Sequence, residues 1–168
     1  EDMANVYHER GQAYVSKAQY TYALADFEEA LKISNKNAFI LNSIGNVHNM
    51  LSQYDLAVAA FTKAIALDSS NATPKIGLGT VYIRQKKYSE ALQELDRAQK
   101  IRPEYFLISY HKACVYSRLN KINDACDYLE VAVRDGSGQW KQIRDAIDRN
   151  ADFDNIRTSA CFKAIIGK

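Results

Sequence analysis

Residues 22–33 read YALADFEEALKI, with apolar side chains at Ala23, Phe27 and Ala30 and charged ones between them. Steps of three and four residues place that apolar set on one face of a helix. The layout returns at residues 55–67 (DLAVAAFTKAIAL), at 89–101 (SEALQELDRAQKI) and, more loosely, at 123–135. Ala23, Ala57, Ala91 and Ala125 are successively 34 residues apart, and Ala30, Ala64, Ala98 and Ala132 keep the same interval. A fixed period of this length is the mark of a repeat architecture, in which each unit is one supersecondary element. The pattern predicts helices over residues 4–17 and 21–34, then 38–51 and 54–67. A third pair starts near Pro74 and continues over 88–101, and a fourth covers 104–119 and 122–134. Breaks fall where turn-forming residues cluster, at Asn35-Lys36-Asn37 and at Asp68-Ser69-Ser70-Asn71. Pro74 suits a first helical turn, where its missing N–H costs nothing, and Pro103 stands just beyond the end of a helix.

A second set of positions precedes each alanine anchor. Gly11, Gly45, Gly79 and Ala113 lie twelve residues upstream, and Tyr14, His48, Tyr82 and Tyr116 lie nine upstream. Phe27, Phe61, Leu95 and Leu129 follow four residues after. A small residue, an aromatic, a small residue, a large apolar and a small residue, in that order and in four copies, resemble the tetratricopeptide repeat. The resemblance covers residues 4–139 and implies an all-α, right-handed α-solenoid of helix–turn–helix repeats. It divides the chain into repeats at 4–37, 38–71, 72–105 and 106–139, followed by capping helices at 140–168. Departures from the family pattern are His48 at an aromatic position and Ile122 where the other repeats carry Tyr20, Tyr54 and Tyr88.

After Asp135-Gly136-Ser137-Gly138, two amphipathic stretches remain. Trp140, Ile143, Ala146 and Ile147 form one, and Ile156, Cys161, Phe162 and Ile165 form the other. The last repeat of a solenoid leaves an apolar face uncovered, so a terminal helix pair is expected to cap it.

Composition narrows the function classes. A length of 168 residues suffices for one domain with a good core, and a net charge of +2 with no basic stripe argues against nucleic acid as a partner. No run approaches the roughly 20 apolar residues of a membrane span. Residue 1 is not methionine and no signal-like segment follows, so the chain reads as part of something longer. Cys114, Cys126 and Cys161 are odd in number and lack CxxC spacing, which leads to an expectation of buried free thiols in a cytoplasmic or other reducing compartment.

Chemistry is sparse. The chain has no GxGxxG, GxxxxGK[ST], HExxH or GxSxG motif. Its three histidines, His8, His48 and His111, are scattered, and its carboxylates decorate helix faces. The expectation is a non-enzyme with neither metal nor cofactor. What the resemblance implies instead is a partner-binding groove lined by the first helix of each repeat. The positions that face it carry His8 and Gln12, then Phe39, Asn42 and Asn46, then Ile76, Thr80 and Arg84, and finally Tyr110, His111 and Arg118. Amides, hydroxyls and a few apolar groups suit the backbone of an extended peptide. One subgroup of the family clamps a chaperone's C-terminal carboxylate with Lys, Asn and Arg. Here those places hold His8, Gln12, Ser43, Thr73 and Gly77, which supply none of the cations such capture uses. The expected function is thus a scaffold that binds a protein or peptide, plausible in complex assembly. Self-association into a homo-oligomer and service as an accessory domain of a larger enzyme are the alternatives.

Overall fold

The 34-residue spacing resolves into helices of nearly equal length. A computed structural model describes residues 2–167, apart from the side chains of Asp2, Ser137 and Trp140; the part expected of Trp140 in the tail therefore lies outside the described side chains. The fold is all-α, with ten α-helices and no strand among the described residues. The chain divides into two compact bodies, Glu1–Lys86 and Lys87–Lys168.

The N-terminal body holds α1 (Asp2–Ser16), α2 (Tyr20–Ile33), α3 (Ala38–Met50), α4 (Tyr54–Leu67) and α5 (Thr73–Arg84). α1 packs on α2 and α3 on α4, with α5 laid against α4 and α3. Small residues govern how closely these helices approach. The fully buried Phe27 ring lies where a Cβ on Gly11 would be. Phe61 is held between two glycines: a Cβ on Gly45 would come within 2.8 Å of its ring and one on Gly77 within 2.5 Å. Ala23, Ala30, Ala57 and Ala64, all fully buried, complete these contacts from the second helices. The Asn37 side chain caps α3 by accepting from the N–H groups of Phe39 and Ile40.

The turns that follow the first helix of each repeat share one backbone conformation. Ala18, Ser52, Lys86 and Asn120, again 34 residues apart, have φ between 56° and 61°. One residue later the N–H of Gln19, Gln53 or Lys121 reaches back to the carbonyl of Tyr14, His48 or Tyr116. This is the left-handed helix end that satisfies orphan carbonyls. His48, for all its departure from the aromatic pattern, serves that turn too: its Nδ1–H donates to Gln53 Oε1 at 2.7 Å.

The C-terminal body holds α6 (Tyr88–Ile101), α7 (Phe106–Arg118), α8 (Ile122–Asp135), α9 (Trp140–Arg149) and α10 (Ala160–Ile166). α7 and α8 form a tight pair, with α6 against α7. One apolar cluster unites Ala113, Cys114, Ala125, Cys126 and Leu129 of that pair with Ile143, Ile147, Phe153, Ile156, Phe162 and Ile165 of the tail. The second tail helix is shorter than the spacing predicts. Only Ala160–Ile166 is α-helical, because a 3₁₀ turn at Ala151–Phe153 and further turns carry Ile156 into the core outside any helix.

The cysteine expectation is corrected. Cys126 of α8 and Cys161 of α10 form a disulfide, with Cα atoms 6.1 Å apart. Sequence spacing could not show this, since the bond depends on where the tail folds back. Cys114 alone of the three is a free, buried thiol. Disulfides persist in oxidising surroundings, so the reducing compartment inferred from free thiols loses that support.

Candidate functional site

In the N-terminal body, the positions expected to face a partner lie on α1, α3 and α5. His8, Gln12 and Ser43 form a hydrogen-bonded cluster between α1 and α3. Gln12 Nε2 donates to Ser43 Oγ at 2.9 Å, and His8 Nε2 lies 2.9 Å from the same oxygen. The cluster is thus a preset polar patch whose groups already hold one another. Beside it Phe39 is 66% exposed, an apolar ring with no cover.

Asn42 and Asn46 are four residues apart on α3 and so share a face. Asn49, one further turn along, extends the same stripe. Asn46 is exposed, Asn42 half-buried and Asn49 buried. The side-chain carbonyls of Asn42 and Asn49 are out of contact with solvent and accept no hydrogen bond within the protein. A buried acceptor left without a donor costs about 1–3 kcal/mol, so these two carbonyls are a local cost to the fold. Asn49 was not among the residues expected from the family's groove positions. The signal that finds it is its seven-residue offset from Asn42.

The α5 residues divide. Ile76 is only 7% exposed, so it belongs to the packing rather than to an open surface. Thr80 turns its hydroxyl back onto its own helix, donating to the carbonyls of Ile76 and Gly77 at 2.8 and 2.9 Å. Arg84 is exposed at the end of α5. Together with a stronger hydrogen bond from Ser52, it holds the Tyr54 phenol below its ordinary pKa.

In the C-terminal body, the residues expected to face a partner are met by the chain's own tail. Asn150 Nδ2 donates to Tyr110 Oη at 2.8 Å, and the Phe153 ring meets Tyr110 edge-on with centroids 5.6 Å apart. Arg118 Nε donates to Asp152 Oδ1 at 2.6 Å, and Asn155 Nδ2 to the Ser117 carbonyl at 3.2 Å. Burial pushes the Tyr110 phenol up to about 12. Burial also pushes the His111 imidazole down to about 4, against a weaker opposite pull from Asp152. What remains open on α7 is a cavity of about 210 Å³ lined by Phe106, Leu107 and Tyr110 with Gln142, Ile143 and Ala146 of α9. Arg118 is thus paired with a carboxylate of the tail.

No group of three or more His, Cys, Asp or Glu among the described residues is placed to hold a metal ion. No helix among them is long and apolar enough to cross a membrane.

A family model described as Tetratricopeptide repeat matches residues 50–114, and a second of the same description matches 4–37; together they take in more than half of the 168 residues. No curated protein matches the chain by sequence. Among solved structures, a thermophilic TPR protein of Thermus thermophilus is similar at a TM-score of 0.81 and 18% identity, over 97% of this chain and 86% of that one. The pilF protein of Pseudomonas aeruginosa is similar at 0.77 and 22%, over 99% of this chain and 76% of its own. The first TPR of Spaghetti (RPAP3), bound to the HSP90 peptide SRMEEVD, is similar at 0.66 and 19%, over 70% of this chain and 94% of that one. At these identities the likeness is one of fold. It agrees with the helix–turn–helix pairs and the α-solenoid class they define, and with the repeat models matched by the chain's own residues. The chain belongs to the tetratricopeptide-repeat family.

Proposed function

We propose that this chain is a non-catalytic interaction scaffold whose α1–α3–α5 face holds an extended peptide of a partner protein, as a step in assembling a complex. The fold itself supports a protein–protein interaction role, and one relative of the same fold has a peptide bound. The observation that carries the finer reading is the α3 stripe of Asn42, Asn46 and Asn49. Two of its three amide carbonyls are sequestered and unpartnered, and an asparagine can both accept from a peptide N–H and donate to a peptide C=O. The exposed Phe39 ring supplies apolar contact alongside. A ligand of this face is recognised mainly through its backbone, because no unpaired cation or carboxylate dominates the stripe.

The test begins with peptides selected from a displayed library on the wild type. Their affinities are then measured by fluorescence polarisation for the wild type and for Asn42→Ala/Asn46→Ala. Each neutral hydrogen bond contributes about 0.5–1.5 kcal/mol, so the double change should weaken binding roughly tenfold or more. The Asn42 carbonyl has no internal partner, so the variant should melt close to the wild type. Full affinity in a well-folded double variant would remove this face as the site.

A further inference from the structure

The disulfide joins α8, which is tightly paired with α7, to α10, whose other attachments are few. α10 has seven residues, too short to persist as an isolated helix. It is held by burial of Phe162 and Ile165, by the Ser159 side chain accepting from the Phe162 N–H, and by the bond from Cys161 to Cys126 of α8. The two sulfurs are unequally placed. Cys126 is 4% exposed, whereas Cys161 is half-buried with Ser159 Oγ 3.3 Å from its sulfur. Beneath α10 lie Leu129, Ile147, Phe153 and Ile156, all fully buried. Phe153 also belongs to the segment that grips Tyr110 and Arg118 on α7.

From this arrangement we infer that Cys126–Cys161 is a redox latch: a dithiol reductant opens it at Cys161, frees α10 from α8, and loosens the 150–156 segment from α7.

The exchange balances as follows. A thiolate of the reductant attacks the sulfur of Cys161, the less buried of the two residues, the S–S bond breaks, and its electron pair leaves on Cys126. Apolar surroundings disfavour a buried thiolate, so Cys126 takes up a proton. The reductant's second thiol then attacks its own sulfur in the mixed disulfide and releases Cys161. The reductant ends as a disulfide, and the protein has gained two electrons and two protons. The mixed-disulfide stage adds bulk at Cys161, which the packed interface accepts only with α10 displaced. A disulfide-bonded oxidant closes the same latch by the reverse exchange, taking up the two electrons and two protons as it becomes a dithiol.

The test uses the whole chain. Denaturation and alkylation without reductant should modify one cysteine, Cys114; three modified cysteines would overturn the proposal. Hydrogen exchange followed by mass spectrometry is then compared before and after dithiothreitol. Exchange should rise tenfold or more over 150–156 and 160–166 and stay unchanged over 38–67. Closing a loop of this length should also be worth roughly 8–15 °C in melting temperature. A fall in melting temperature with exchange rising uniformly would make the bond a global staple and refute a local latch. Unchanged exchange in the tail would refute it as well. The Cys126→Ser/Cys161→Ser variant should resemble the reduced protein and ignore dithiothreitol. A continued response would assign the effect to Cys114 and sink the latch.

Discussion

Replacing Gly77 by alanine tests the packing logic of the repeats most directly. A methyl group there would sit 2.5 Å from both Cε1 and Cζ of Phe61. Ordinary carbon contacts begin near 3.4 Å, so the ring or the helix must give by about 1 Å. The ring has nowhere to go: it is fully buried, and Gly45 closes its other side at 2.8 Å by the same measure. Two effects of opposite sign compete. Alanine is the better helix former by about 1 kcal/mol, while overpacking a tight core costs about 1–3 kcal/mol. About 1 Å of overlap at a fully buried ring puts the clash in the upper part of its range, about 2–3 kcal/mol, which leaves a net loss of about 1–2 kcal/mol. In a protein of this size that lowers the melting temperature by roughly 2–8 °C. Thermal and urea unfolding should be run on Gly77→Ala, on Phe61→Leu and on the double variant. Shrinking the ring makes room, so Gly77→Ala should be harmless or stabilising in the Phe61→Leu background. The coupling energy should reach about 1 kcal/mol or more. Gly138, with no atom within 4 Å of an added methyl, is the control and should tolerate alanine within about 0.5 kcal/mol. If Gly77→Ala instead raises stability by the full propensity gain, the ring has slack and the close-approach argument is wrong.

Glycine placed at Ala18, Ser52 or Lys86, each at positive φ, should stabilise by a few tenths to about 1 kcal/mol by relieving the left-handed strain, whereas Asn120 should gain least; denaturation midpoints decide. Arg10 donates two 2.7 Å hydrogen bonds to the buried Asp26 carboxylate, so Arg10→Ala should lower the melting temperature and Asp26→Asn on top of it should recover part of the loss. Failure of that rescue would show that the arginine acts through packing alone. For His111, with its pKa pushed down to about 4, the unfolded chain takes up a proton near pH 6.5 that the folded chain refuses. Stability should therefore fall as pH drops from about 6.5 toward 4, by at most about 3 kcal/mol. His111→Gln should flatten that part of the pH profile, and an unchanged slope would assign the loss to other groups.

What the sequence determined by itself is the repeated, local part of this protein. Gly11 with Phe27 and Gly45 with Phe61 recur at fixed offsets because each meets its partner within a single helix pair. A period of 34 residues therefore announces both the pair and its core, and Asn42 and Asn46 of α3 are legible as sharing one face by helical spacing alone. The shared turn conformation was not legible, because alanine, serine, lysine and asparagine occupy it in turn. Geometry imposed by the paired helices overrides residue preference there. The fate of the expected groove residues also waited for tertiary structure. Ile76 is buried by packing, and Tyr110 and Arg118 are taken by Asn150, Phe153 and Asp152. The tail that does this follows no period. The pairing of Cys126 with Cys161 has the same origin: bond formation depends on where a chain returns in space, and an aperiodic tail carries no spacing from which that return can be read.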